Sequence, residues 1–92
     1  MDYKEMFNEL HTELSNKALS LDNAYAIELL TKFNERIYNS LDGLYDYWWK
    51  AQLQDMNIVS TLSLSKTERD AANVVIKAME DIYDNYSKED NK

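Results

Sequence analysis

Apolar side chains recur every three or four residues in the first part of the chain. Tyr3, Phe7, Leu10 and Leu14 follow one another at spacings of four, three and four. This spacing places them on one face of an α-helix. Asp2, just before the stripe, can cap the helix, because its carboxylate can accept a hydrogen bond from a free backbone N–H. We predict a first helix over residues 3–19.

A second helical stripe begins after Ser20 and Asp22, which are both candidates for its N-terminal cap. It comprises Ala26, Leu29, Leu30, Phe33, Ile37 and Leu41. A glycine often marks a helix C-terminus, but the rhythm continues past Gly43 to Leu44 and Trp48. A glycine inside a helix costs only about 1 kcal/mol relative to alanine. We therefore predict one long second helix over residues 23–55, kinked or broken near Gly43.

The stretch from Asn57 to Leu64 has β-branched and hydroxyl side chains without a helical stripe, so we predict an extended connection. Ser65 and Glu68 then match a capping box, in which each side chain accepts from the other's backbone N–H. A third helix is predicted over residues 66–86, with a polar, frayed tail from about residue 87. The whole chain is thus expected to be one all-α domain, residues 1–92, built as a small bundle of three principal helices. The predicted core comprises Phe7, Leu10, Leu14, Leu30, Phe33, Ile37, Leu41, Val75, Ala78 and Ile82.

The composition supports this fold class and narrows the function. The chain has 92 residues with one glycine, no proline and no cysteine, which argues against β-hairpins, disulfides and thiolate zinc sites. No segment approaches the roughly 20 apolar residues of a membrane helix, and the N-terminus does not have the pattern of a signal peptide. We expect a cytoplasmic protein that contacts no membrane. The net charge of −7 disfavours direct binding to nucleic acid.

No arrangement of residues indicates catalysis. His11 is the only histidine, and its helical neighbours at three and four positions include no acid. A Glu-x-x-His metal motif is missing because residue 8 is asparagine. A phosphate loop or a serine elbow would need more than one glycine. We therefore expect no enzyme activity, no cofactor and no metal, and interpret His11 as a surface side chain.

The most informative segment for function runs from Leu44 to Trp49, with sequence LYDYWW. One side of a helix in so small a domain cannot bury five large side chains. Tryptophan and tyrosine are enriched among the residues that contribute most to protein interfaces. We predict a partner-binding site comprising Tyr45, Trp48, Trp49, Asp42 and Asp46. The alternative is that Leu44 and Trp48 belong to the core and the other rings lie half-exposed at its rim.

Two acidic groups are secondary candidates. The first is the row Glu5, Glu9 and Glu13, spaced by four on the first helix. The second is Glu80, Asp81 and Asp84 near the end of the third helix, where negative charge opposes the helix dipole. Either row could mimic phosphates, and either could equally be an ordinary solvated helix face.

These features favour a protein that binds another macromolecule. The most concrete hypothesis is an inhibitor or adaptor that docks on a basic protein surface. By composition it would be a phage-type or mobile-element product that blocks a nucleic-acid enzyme or a defence complex, either anti-CRISPR-like or as a DNA mimic. The alternative is a homo-oligomeric structural or assembly protein, of which a homodimer is the simplest form.

Overall fold

The chain folds into helices connected by short loops. A computed structural model describes residues 1–39 and 43–90, with side chains through residue 88. The described residues form four α-helices and no strand: α1 Tyr3–Leu19, α2 Ala24–Asn39, α3 Tyr45–Leu62 and α4 Lys66–Asp90. The predicted all-α class is therefore confirmed. The predicted number of three principal helices is wrong, because the long second helix is divided into α2 and α3.

Side-chain caps begin the first two helices. The Asp2 carboxylate accepts from the backbone N–H of Glu5 at 3.1 Å, as predicted. At the start of α2 the cap is Asn23, not Ser20 or Asp22. Its Oδ1 accepts from the backbone N–H groups of Tyr25 and Ala26 at 2.9 and 3.2 Å. Both caps satisfy N–H groups that have no partner within the helix.

The break between α2 and α3 lies at the single glycine. Gly43 has a φ of +100°, a region that costs a side-chain-bearing residue steric strain. A helix cannot continue through that conformation, and α3 begins two residues later at Tyr45. The predicted core residue Leu41 and the predicted site residue Asp42 lie outside the described residues.

Helix α3 continues to Leu62, so the predicted extended connection over residues 57–64 is wrong. Tertiary contacts override the weak helix propensity of this stretch. Met56 is fully buried and Val59 packs against the core. The Ser60 hydroxyl donates to Asn73 Oδ1 of α4 at 2.7 Å. The β-branched residues of this stretch do not by themselves indicate that it contacts the core and α4.

A loop of three residues joins α3 to α4. The Ser65 hydroxyl accepts from the backbone N–H of Glu68 at 3.3 Å, which confirms the predicted cap. The Ser65 N–H, however, donates to Ser63 Oγ at 3.2 Å, instead of to a Glu68 carboxylate. Arg69 completes the loop by donating to the Ser63 carbonyl at 2.6 Å. Helix α4 then extends to Asp90, four residues beyond the predicted end.

Helix α4 is the central element of the bundle. It packs against α1, α2 and α3, and its contact with α3 is the most extensive. All predicted core residues that the structure describes are buried. Further apolar side chains are buried that the sequence pattern did not place in the core, namely Met6, Ala18, Trp49, Met56, Ala71, Ala72, Ile76 and Met79. Helix α3 packs on α4 and α1, and this one-sided packing leaves its opposite face open.

Candidate functional site

The aromatic segment at the start of α3 is divided between core and surface. Trp49 is 2% exposed, and its ring meets Phe7 edge-on with 5.0 Å between centroids. Its ring also contacts Tyr3 at 6.3 Å. Trp49 was predicted to contact a partner, but its ring faces the core, so it has no surface to offer. This assignment is corrected: Trp49 stabilises the fold.

The neighbouring side chains remain accessible. Tyr45 is half-buried against Phe7, at 6.4 Å between centroids. Tyr47 is 61% exposed and lies edge-on to the half-buried Trp48 at 5.4 Å. Leu44, for which the alternative interpretation predicted a core position, is exposed. Four large side chains of this segment thus keep surface area, while the fifth is in the core.

The accessible side chains continue along the whole open face of α3. We call this face the outer stripe, and it consists of Leu44, Tyr47, Trp48, Ala51, Ile58 and Leu62. These positions recur at helical spacing. Ile58 and Leu62 are 50% and 71% exposed. Neither residue was predicted as part of a site, because both fall in the predicted extended connection, in which they would not align with Tyr47.

Few charges interrupt the outer stripe. Within it, the polar residues are Gln54, Asp55 and Thr61, all exposed. Asp46 lies in the first turn of α3 and is exposed, as predicted. Helix α3 is therefore apolar on its core face and carries exposed apolar side chains on its open face as well, on either side of Asp55.

A cavity of about 300 Å³ lies between the start of α1, the first half of α3 and the second half of α4. We call it the aromatic pocket. Tyr3, Trp49 and Tyr83 provide its rings, and Leu53 and Met79 complete its apolar walls. Its charged lining residues are Lys50, Glu80 and Asp84.

Two of the three C-terminal acidic candidates therefore line one pocket. Glu80 and Asp84 are exposed and one helical turn apart. Asp81 does not line the pocket, and its carboxylate pairs with Lys77 at 3.6 Å. Since α4 extends to Asp90 and has Lys88 in its last turn, these acids do not lie at the helix terminus. Their charges therefore do not oppose the helix dipole, because that interaction is confined to the last turn, and the dipole gives no reason to expect a binding role for them.

The acidic row of α1 lies beside a different groove. Glu5, Glu9 and Glu13 are exposed and line the groove between α1 and α4, together with Asn85. Glu13 also approaches Lys17, with 3.8 Å between the charged atoms. The row is therefore short and partly neutralised at one end.

His11 is more than a surface side chain. Its Nδ1 lies 3.1 Å from Asn34 Oδ1, so Nδ1–H donates to that oxygen. The Asn34 amide donates in return to the His11 carbonyl at 3.1 Å and to Ser15 Oγ at 3.2 Å. The His11 ring lies against Tyr38, with 4.5 Å between centroids. These contacts join α1 to α2, so the histidine has a structural role there.

The described part of the chain contains no group of three or more His, Cys, Asp or Glu side chains that could hold a metal ion. Within the same residues, none of the helices is both long and apolar enough to cross a membrane.

Comparison with known proteins gave no relatives: the chain matches no protein-family model, no curated protein and no solved structure.

Proposed function

We propose that this protein binds a protein partner with a basic surface and that the outer stripe of α3 is the centre of the contact. The observation that carries this proposal is the one-sided packing of α3. Its core face is covered by α4 and α1, while Tyr47, Ile58 and Leu62 are at least half exposed on the opposite face.

The energetics of the stripe favour association. Burying one large apolar side chain contributes about 1.5–3 kcal/mol. Tyr47 and Trp48 are of the types that most often dominate binding energy, and their edge-on contact already restricts both rings. The stripe also brings several apolar side chains together on one helix face, on either side of Asp55, whereas isolated exposed apolar residues are common and need no partner.

The charge distribution supports a basic partner. The chain has a net charge of −7. Several of its lysines are neutralised locally by an acid one helical turn away: Glu13–Lys17, Glu28–Lys32, Lys66–Asp70 and Lys77–Asp81. The surface field is therefore negative, and such a field speeds the encounter with a positive partner more than it strengthens the final complex.

The most concrete form of this function is inhibition of a nucleic-acid enzyme or a defence complex in the cytoplasm, as a phage or mobile element would encode. Small size, net charge and an exposed apolar stripe support this form. A DNA-mimicking mode would use Glu5 and Glu9, and the Glu13–Lys17 approach weakens it. Direct binding of nucleic acid is disfavoured by charge.

The second candidate function is self-assembly. Leu44, Ala51 and Ile58 follow one another at intervals of seven residues. This is the repeat with which two helices pair along a seam. The same stripe would then meet its counterpart in a second copy of the chain.

A matched pair of double variants tests the role of the stripe. The test variant combines Tyr47→Ala with Leu62→Ser, and the control combines Tyr25→Ala with Leu19→Ser. Both remove one exposed tyrosine and one exposed leucine at the end of a helix, but the control residues lie on α2 and α1. Neither double variant changes the net charge.

Affinity capture from the native host, followed by binding measurements with the purified partner, should show at least tenfold weaker binding for the test variant and wild-type binding for the control. Binding should also weaken as salt rises, because exposed charges are screened. Equal affinity of all three proteins would refute the stripe as the contact. Sedimentation velocity separates the second candidate: a wild-type dimer that the test variant alone dissociates indicates self-assembly.

A further inference from the structure

We infer that the aromatic pocket receives the side chain of an arginine, presented by the basic protein partner. The pocket is separate from the outer stripe, because Trp49 and Leu53 line it from the inward-facing side of α3. The inference rests on the proposed function for the source of the arginine. The fit of the pocket to a guanidinium group rests on its own geometry.

The walls suit a flat cation. Tyr3 and Tyr83 line the pocket from α1 and α4, and both keep exposed ring area. Trp49 packs against Tyr3 with 6.3 Å between centroids and is 2% exposed, so it supports the wall and leaves little ring face for an occupant. A cation within about 6 Å of an aromatic face is attracted by the ring's quadrupole, and guanidinium stacks there more often than ammonium does. The apolar walls formed by Leu53 and Met79 fit the methylene stem of the same side chain.

The polar residues that line the pocket also suit a guanidinium group. Glu80 and Asp84 are four residues apart on α4, about 6 Å along the helix axis. Tyr83 lies beside them on the same helix. A guanidinium has five N–H donors in a rigid plane, so it can stack on a ring and donate to carboxylates at its edge. A neutral side chain of equal length would leave both carboxylates without that partner.

Lys50 is the one cation among the pocket residues, and it opposes a positive occupant. With Glu80 and Asp84 it leaves the charged lining at a net −1. Asp46 precedes Lys50 by four residues on α3. On a helix, an acid four residues before a lysine is well placed to form an ion pair with it. Lys50 can therefore turn toward Asp46 when the pocket is filled. Because Lys50 competes with the guanidinium for the two carboxylates, removing the Lys50 charge should strengthen arginine binding. If Lys50 had only a structural role, its removal would not strengthen binding.

The experiment uses two small probes of nearly equal shape. N-acetyl-arginine-N-methylamide carries the charge, and N-acetyl-citrulline-N-methylamide is its neutral counterpart. Each is titrated into the whole protein while backbone amide shifts are followed by NMR. We expect the arginine probe to shift amides near Tyr3, Trp49 and Tyr83 with a dissociation constant in the millimolar range, about −4 kcal/mol. The citrulline probe should bind at least about tenfold more weakly, since charge-assisted hydrogen bonds are stronger than neutral ones.

Three variants test the roles of the charges. Glu80→Gln combined with Asp84→Asn should abolish the preference for arginine over citrulline. Lys50→Gln should tighten arginine binding severalfold. Asp81→Asn, on the same helix but outside the pocket, should change neither value. All these side chains are exposed, so the fold should tolerate the changes.

Equal binding of the two probes, or shifts located elsewhere, would overturn the assignment. So would the absence of localised shifts up to about 20 mM probe, a concentration well above a millimolar dissociation constant. These outcomes are separate from a failure of the proposed function. The probes test the pocket without any partner, whereas the stripe variants leave the pocket residues unchanged.

Discussion

Replacing Trp49 by alanine should destabilise the fold rather than remove a partner contact. The sequence pattern alone predicts a different role for Trp49, namely contact with a binding partner. In the structure the indole is 2% exposed and fills the space between Phe7 and Tyr3. The alanine variant would leave a cavity among α1, α3 and α4, because neighbouring helices relax only partly into such a space.

The size of the effect follows from burial. Truncating a buried tryptophan to alanine costs about 3–5 kcal/mol. A domain of 92 residues has a total stability of about 5–14 kcal/mol at 0.05–0.15 kcal/mol per residue. The variant would therefore lose about a fifth of its stability or more. At about 4–8 °C per kcal/mol, the melting temperature should fall by at least about 12 °C.

Urea denaturation followed by far-ultraviolet circular dichroism measures this loss without relying on tryptophan fluorescence. Tyr47→Ala is the matched control two residues away, because its ring is 61% exposed. Its free energy of unfolding should stay within about 0.5 kcal/mol of wild type. An unchanged midpoint for Trp49→Ala, or an equal loss for Tyr47→Ala, would refute the assignment of Trp49 to the core and with it the phase of α3.

Four further substitutions, at three positions, test local features by the same denaturation assay. Asn34→Ala removes the hydrogen bonds that join the buried Asn34 side chain to the part-buried His11 and should cost about 0.5–1.5 kcal/mol; an unchanged free energy of unfolding would show that these bonds do not stabilise the fold. Gly43→Ala should cost about 1–2 kcal/mol through backbone strain alone, since no atom lies within 4 Å of the added Cβ. Gly43→Asn should cost less, because asparagine tolerates positive φ better, and the reverse order would contradict this account. Ser65→Ala should cost about 1 kcal/mol by removing the bond to the Glu68 N–H, and no loss would show that Ser65 is not the effective cap.

Features that depend on residues close together in the chain could be predicted from the amino-acid sequence. Helical periodicity gave the all-α class, because residues three and four apart necessarily share a helix face. The starts of α1 and α4 followed from Asp2 and Ser65, whose side chains bond to backbone groups three residues away. The break near Gly43 was only one of two alternatives, because glycine adopts a positive φ at little cost but the apolar rhythm continues past it.

Part of the candidate site was also recognisable in the sequence. The crowding of large side chains over residues 44–49 correctly indicated that some would stay exposed, and Tyr47 does. Periodicity could not decide which of two adjacent tryptophans faces inward. Trp48 and Trp49 differ by about 100° around a helix, and both directions carried apolar neighbours.

The remaining features depend on contacts between residues far apart in sequence, so local patterns could not predict them. Helix α3 continues to Leu62 since Met56 and Val59 are covered by the core and Ser60 bonds to Asn73. That continuation aligns Ile58 and Leu62 with Tyr47 and so creates the outer stripe. The aromatic pocket likewise joins Tyr3, Trp49 and Tyr83 from three helices. A local pattern specifies which faces a helix has, and only packing against its neighbours selects the face that is buried.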